Sequence, residues 1–262
     1  MIILKGVSKD YGDGRVLDGI SLEISPGEFV CITGPSGAGK TTLLSILVGA
    51  ETATGGSISV DGVDLRSVPA GALQMFRRRV GVVFQDYKLL ANRTVAENIA
   101  FPLEVCGASD DTILSRVKDL LGQMGLGTRA HALPRELSGG EKARTAIARA
   151  IAHKPLILLA DEPTQNLDPD QAKEVLQSFR EINAEGTTVI IATHDAALVD
   201  LLHMRVVQLE HGKIARDSVG GYRKAHTEEK QSKAKAKKVE TPTHAHPQSH
   251  RKVKVTAIHS EG

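Results

Sequence analysis

Gly34-Pro35-Ser36-Gly37-Ala38-Gly39-Lys40-Thr41 is a glycine-rich run closed by a lysine and a hydroxyl residue. It follows the apolar run Phe29 to Thr33 and precedes a helical pattern that begins near Lys40, the strand, turn and helix order that phosphate capture needs. The glycines permit backbone angles that turn successive N–H groups inward around phosphate oxygens, and a helix N-terminus adds partial positive charge. Lys40 can reach the outer phosphates and the Thr41 hydroxyl can ligate Mg²⁺, with Thr42 next in the same cradle. A merely flexible turn has no need of Lys40 and Thr41 in register behind it.

A second cluster stands where Leu156-Ile157-Leu158-Leu159-Ala160 runs into Asp161-Glu162-Pro163. Two carboxylates at the end of a buried apolar strand need a cation or a task, because unpaired charge there is costly. Successive strand side chains face opposite ways, so Asp161 is expected toward the Mg²⁺ shell and Glu162 toward a water that attacks the terminal phosphate. Helix capping is the ordinary role for either carboxylate alone. Beside a phosphate cradle, catalysis ranks above it.

The elements that must position these groups are legible as apolar patterns. Strand-like runs fall at Met1 to Val7, Glu28 to Thr33, Ser57 to Val60, Val80 to Phe84, Leu156 to Ala160, Thr188 to Thr193 and Met204 to Glu210. Several are apolar on consecutive positions, as in parallel strands covered on both faces. Helical patterns lie at Lys40 to Gly49, Asp110 to Met124, Glu141 to Ala152, Asp170 to Ala184 and Ala196 to Leu202, and the alternation predicts a doubly wound α/β core. Residues 91–153 interrupt it with two or three successive helical segments, separated by Pro102, Gly107 and Gly127, which predicts an inserted helical lobe.

The chain has 262 residues, enough for one large α/β domain. No run of 18 apolar residues and no leader pattern occurs, so a cytoplasmic chain without a membrane segment is expected. Cys31 and Cys106 fit no metal spacing and read as small buried hydrophobes. Residues 223–262 carry ten Lys or Arg against four Asp or Glu, whereas residues 1–222 carry 23 against 27. That basic tail lacks a spaced apolar face, and disorder is expected there. With no aromatics for base stacking after Tyr222, it predicts no specific nucleic-acid partner.

Leu137-Ser138-Gly139-Gly140-Glu141, opening the next helix, completes a pattern. Alone it could be an N-cap and a loop. Between the phosphate cradle and Leu159-Ala160-Asp161-Glu162-Pro163-Thr164, it makes residues 1 to about 220 resemble the ATP-binding-cassette ATPases. The resemblance implies a P-loop NTPase fold with a RecA-like core, an antiparallel β subdomain and an α-helical lobe, binding ATP and Mg²⁺ and hydrolysing ATP when two copies close on each other. It implies that Tyr11 stacks on adenine, that Gln85 senses Mg²⁺ and faces a membrane partner, and that His194 lies near the γ-phosphate. Asn166-Leu167-Asp168 would touch the opposite copy, and Ser138, Gly139, Gly140 and Glu141 would meet nucleotide held by that copy.

Within the family, Phe76-Arg77-Arg78-Arg79-Val80-Gly81, Phe84-Gln85-Asp86 and Arg93-Thr94-Val95 are similar to the cell-division branch. Much of this is also similar to lipoprotein-releasing and macrolide-exporter ATPases. The cell-division likeness implies a peripheral subunit on the cytoplasmic face of the membrane, an integral membrane partner resembling FtsX and an indirect link to cell-wall hydrolases. Gln165 stands where relatives commonly have glycine, and Lys142-Ala143 replaces a frequent pair of glutamines. Leu89, Leu90, Val95, Ile99 and Phe101 are candidates for a partner groove or for lobe core, with core ahead for most of them.

Overall fold

The computed structural model describes residues 1–12 and 14–220, so the expected disordered tail at 223–262 lies outside the described residues. Two sheets form. The larger is built from β3 (Phe29–Thr33), β6 (Val80–Val83), β7 (Ile157–Asp161), β8 (Thr188–Thr193), β9 (Arg205–Glu210) and β10 (Lys213–Val219), in the order β10-β9-β3-β8-β7-β6. Its pairs are parallel except β10 with β9. The smaller is antiparallel, β2-β1-β4-β5, from β1 (Ile2–Asp10), β2 (Arg15–Ile24), β4 (Gly55–Val60) and β5 (Val63–Asp64).

Alternating side chains of the central strands feed two separate cores. Val30, Ile32, Ile157, Leu159, Ile190 and Val207 join the antiparallel sheet and α1 (Lys40–Leu47), while Cys31, Leu158, Ala160, Val189, Ile191 and Val206 join the helices on the opposite face. Burial on both faces is why these strands are apolar at successive positions. Burial also pushes the Cys31 thiol up to about 12, an inert core residue as expected. Cys106 departs from expectation: it is only half-buried.

Three helices, α3 (Val95–Val105), α4 (Asp110–Gln123) and α5 (Gly139–Ile151), then follow one another with no strand between them, and α6 (Pro169–Ala184) and α7 (Ala196–Leu202) return to the core. Pro102 does not separate two segments as expected but lies inside α3. That helix survives a lost backbone donor because Thr94 and Glu97 close a capping box at its start and Val95, Ile99 and Leu103 bury one face. An additional helix, α2 (Ala70–Arg77), precedes β6. No helix among the described residues is long and apolar enough to cross a membrane.

Candidate active site

The parallel order β3-β8-β7-β6 sets four loops side by side at the C-terminal strand ends, the usual place for a ligand in an open α/β sheet. They carry Gly34 to Thr41 after β3, His194 after β8, Asp161 and Glu162 at the end of β7, and Gln85 after β6. Strand register thus assembles groups that lie far apart in sequence.

The loop after β3 is held by close backbone approach. A Cβ on Gly34 would strike the Leu209 carbonyl oxygen of β9. Gly39, at φ 100°, caps α1 where a Cβ would lie 2.6 Å from Leu17 Cδ2 of β2. Only glycine fits either place. Lys40, 7% exposed, donates through Nζ to the carbonyls of Gly34 at 2.8 Å and Pro35 at 3.2 Å, and lies 3.8 Å from Glu162 Oε1.

Asp161 and Glu162 are each 9% exposed and take different partners. Burial pushes the Asp161 pKa up and the Glu162 charge adds to it, while a hydrogen bond from the Thr41 hydroxyl and the Lys40 charge oppose the rise. Asp161 Oδ1 is buried with no hydrogen-bond partner. A bare carboxylate oxygen beside a threonine hydroxyl is an oxygen donor set that fits Mg²⁺. Glu162 turns elsewhere. Its Oε1 lies 2.7 Å from His194 Nδ1, and its Oε2 accepts from the His194 backbone N–H at 3.4 Å.

The expectation that strand alternation separates these two carboxylates needs correcting. Glu162 lies beyond the end of β7 at φ 46°, its N–H tied to the Ala192 carbonyl at 2.8 Å. A left-handed turn, not the pleat, aims it at His194. Such a residue costs of order 1 kcal/mol and persists where its surroundings hold it.

Other expected residues sit around this centre. Gln85 is exposed, and its Nε2 donates to Gln165 Oε1, joining the loops after β6 and β7. Ser138 is both N-cap and motif residue: its Oγ accepts from the Glu141 N–H at 3.2 Å while Glu141 Oε2 accepts from the Ser138 N–H at 2.8 Å. A Cβ on Gly139 would lie 2.9 Å from Leu167 Cδ2, so this helix start is seated on the loop before α6. Asp168 caps α6, accepting from Asp170 and Gln171 N–H groups at 3.1 and 2.9 Å. Tyr11 is 51% exposed in the β1–β2 turn, under the Lys9 ammonium 4.6 Å from its ring centre.

Supporting residues were not foreseen. Gln171 accepts from the Gly140 N–H at 3.0 Å, and Arg129 donates to Glu141 at 2.8 Å. Arg149 donates to the Tyr87 and Lys88 carbonyls at 2.7 Å each, holding two left-handed residues just after Gln85. These contacts link segments distant in sequence and leave no local signal.

Comparison with known proteins matches residues 17–165 to the model described as ABC transporter. A shorter match, residues 132–200, is to an AAA domain, putative AbiEii toxin, Type IV TA system. Curated relatives named cell division ATP-binding protein FtsE include those of Streptococcus pneumoniae serotype 2 strain D39, 45% identical across 84% of this chain and 96% of the relative, and of Bacillus subtilis strain 168, 46% identical across 84% and 97%. The FtsE of Escherichia coli K12 is 43% identical across 82% and 97%. A solved post-hydrolysis dimer of the ATP-binding cassette MJ0796, bound to ADP and Pi, superposes with a TM-score of 0.77 at 34% identity, covering 84% of this chain and 98% of that one. The chain belongs to the ATP-binding-cassette ATPases, in the branch of the FtsE cell-division ATP-binding proteins.

Proposed function

We propose that this chain is the ATP-hydrolysing subunit of a bacterial cell-division complex, a homodimer on the cytoplasmic face of the membrane that drives an integral membrane protein resembling FtsX and through it controls cell-wall hydrolases. The observation that carries this reading is the 43 to 46% identity to FtsE relatives over 215 to 223 residues, helical lobe included.

The proposed roles follow from placement. The amides of Gly34 to Thr42 and the Lys40 ammonium bind the outer phosphates, which are anions in a cradle of donors. Thr41 and Asp161, with Gln85, would hold Mg²⁺, which when bound would neutralise phosphate charge. Glu162 accepts a proton from, or orients, the attacking water, and His194 holds Glu162 in place through the 2.7 Å contact. Tyr11 offers its exposed ring to adenine. Ser138, Gly139 and Gly140 present a helix N-terminus to the terminal phosphate held by a second copy, and Asp168 stands at that junction.

Gln165 bears on basal rate. It accepts the hydrogen bond that ties Gln85 to the loop after β7. Gln165→Leu frees Gln85, and a bond worth about 1 kcal/mol predicts about a fivefold rise in kcat of the isolated subunit at unchanged KM for ATP. A steady-state assay checks it; an unchanged or lower kcat rejects this role.

Partner identity is tested by co-purification. The full chain, expressed with candidate membrane subunits and extracted in detergent, is expected to bring down an FtsX-type protein. Recovery only with a lipoprotein-release membrane subunit would reject the cell-division assignment and leave the ATPase assignment standing.

A further inference from the structure

Lys9 and Tyr11 stand two residues apart at the end of β1, and an extended chain puts both side chains on one face. The Lys9 ammonium lies 4.6 Å from the centre of the Tyr11 ring. The same Nζ donates to Glu51 Oε2 at 2.8 Å and to the Thr52 carbonyl at 2.9 Å. An ammonium has three N–H donors; two meet oxygens of the connection between α1 and β4, and the ring takes the remaining side. The Lys9 side chain is nearly buried by these contacts, whereas half of Tyr11 stays exposed.

The connection between α1 and β4 is held to β1 without Lys9. The Thr54 N–H and hydroxyl both donate to the Ser8 carbonyl, at 2.8 and 3.0 Å, and β1 pairs with β4 from Ile2 to Ser8. The connection is also fixed to α1, because the Ala50 and Glu51 N–H groups donate to the Ser45 carbonyl at 2.8 and 3.1 Å. That helix opens at Lys40 in the phosphate cradle. Lys9 therefore ties an aromatic ring in the β1–β2 turn to the element whose other end faces phosphate. An exposed tyrosine on a turn loses rotamer freedom when a ligand settles on it, and a ring held beforehand binds more tightly.

We propose that Lys9 is a positioning residue for the nucleotide base: it holds the Tyr11 ring at a fixed reach from the phosphate cradle and so sets a preference for purine over pyrimidine. The inference rests on the adenine role proposed above for Tyr11 and adds the residue that prepares it. Glu51 offsets the Lys9 charge, so Lys9 acts through the ring and not by attracting phosphate. Stacking grows with overlap, so a two-ring base gains more from a preset ring than a one-ring base does.

The test measures binding of ADP and CDP to the full chain by calorimetry, because the two carry the same ribose diphosphate and differ only in the base. Tyr11→Ala is expected to weaken ADP binding about tenfold. Lys9→Met keeps an unbranched stem and removes the cation; it should weaken ADP about fivefold and CDP less than about twofold. The double variant should bind ADP no more weakly than Tyr11→Ala alone, because Lys9 then has no ring to hold. Retained CDP affinity excludes misfolding.

Equal losses for ADP and CDP in Lys9→Met, or ADP affinity within about twofold of wild type, would overturn the inference, and a weakened Tyr11→Ala would still mark Tyr11 as the partner of the base. A double variant about fiftyfold weaker for ADP, the product of the single effects, would overturn it too. Unchanged ADP binding in Tyr11→Ala would remove the adenine role of Tyr11 and this inference with it, leaving the ATPase assignment standing.

Discussion

Glu162→Gln is expected to lower ATP turnover about a thousandfold while leaving ATP affinity within about threefold. The amide keeps the shape of a side chain that is 9% exposed and lies 2.7 Å from His194 Nδ1 and 3.8 Å from Lys40 Nζ. Glutamine tolerates the left-handed φ of 46° no worse than glutamate, so the fold is undisturbed. What disappears is the negative charge that takes or orients the water proton, an effect of about 10² to 10⁴, or about 3 to 5 kcal/mol. Because ATP still joins two copies and is not cleaved, the variant should run as a dimer in ATP and as a monomer without it. Turnover within about tenfold of wild type would remove Glu162 from the chemistry.

Lys40→Ala is expected to fail at the earlier step. The ammonium is buried at the centre of the cradle, 2.8 Å from the Gly34 carbonyl. A charged donor to phosphate contributes about 1.5 to 3 kcal/mol. Its loss also leaves the Asp161 and Glu162 charges facing the triphosphate without that cation, which drives the effect toward the upper limit. ATP affinity, read by calorimetry, should fall about a hundredfold, with turnover lost alongside. An affinity within about threefold of wild type would show that Lys40 does not hold phosphate. The two variants separate binding from chemistry.

The reach of sequence reasoning followed the range of the signal. β8 and α7 fall at Thr188–Thr193 and Ala196–Leu202 as expected, and the phosphate loop, Asp161, Glu162 and His194 each sit at a strand end that an apolar run had marked. β2 was missed although Ile20, Leu22 and Ile24 alternate, because a bulge at Gly19, φ 68°, breaks the period between Leu17 and Ile20. β10 was missed because it is an edge strand with no fully buried residue, and α2 because it buries only Phe76. The same limit hid supporting contacts at the site. Gln85 and Gln165 are 80 residues apart, Gly140 and Gln171 are 31 apart, and Arg149 reaches back 62 to Tyr87. No local pattern encodes such pairs; sheet order creates them.

The central claim is that one ATP lies between the Lys40 loop of one copy and the Ser138 helix start of another. A structure of Glu162→Gln with ATP and Mg²⁺ measures this directly. Ser138 Oγ and the Gly139 N–H of each copy should lie within hydrogen-bond distance of the terminal phosphate held by the other copy's Lys40. ATP held in a closed dimer with both Ser138 turns facing solvent would contradict it.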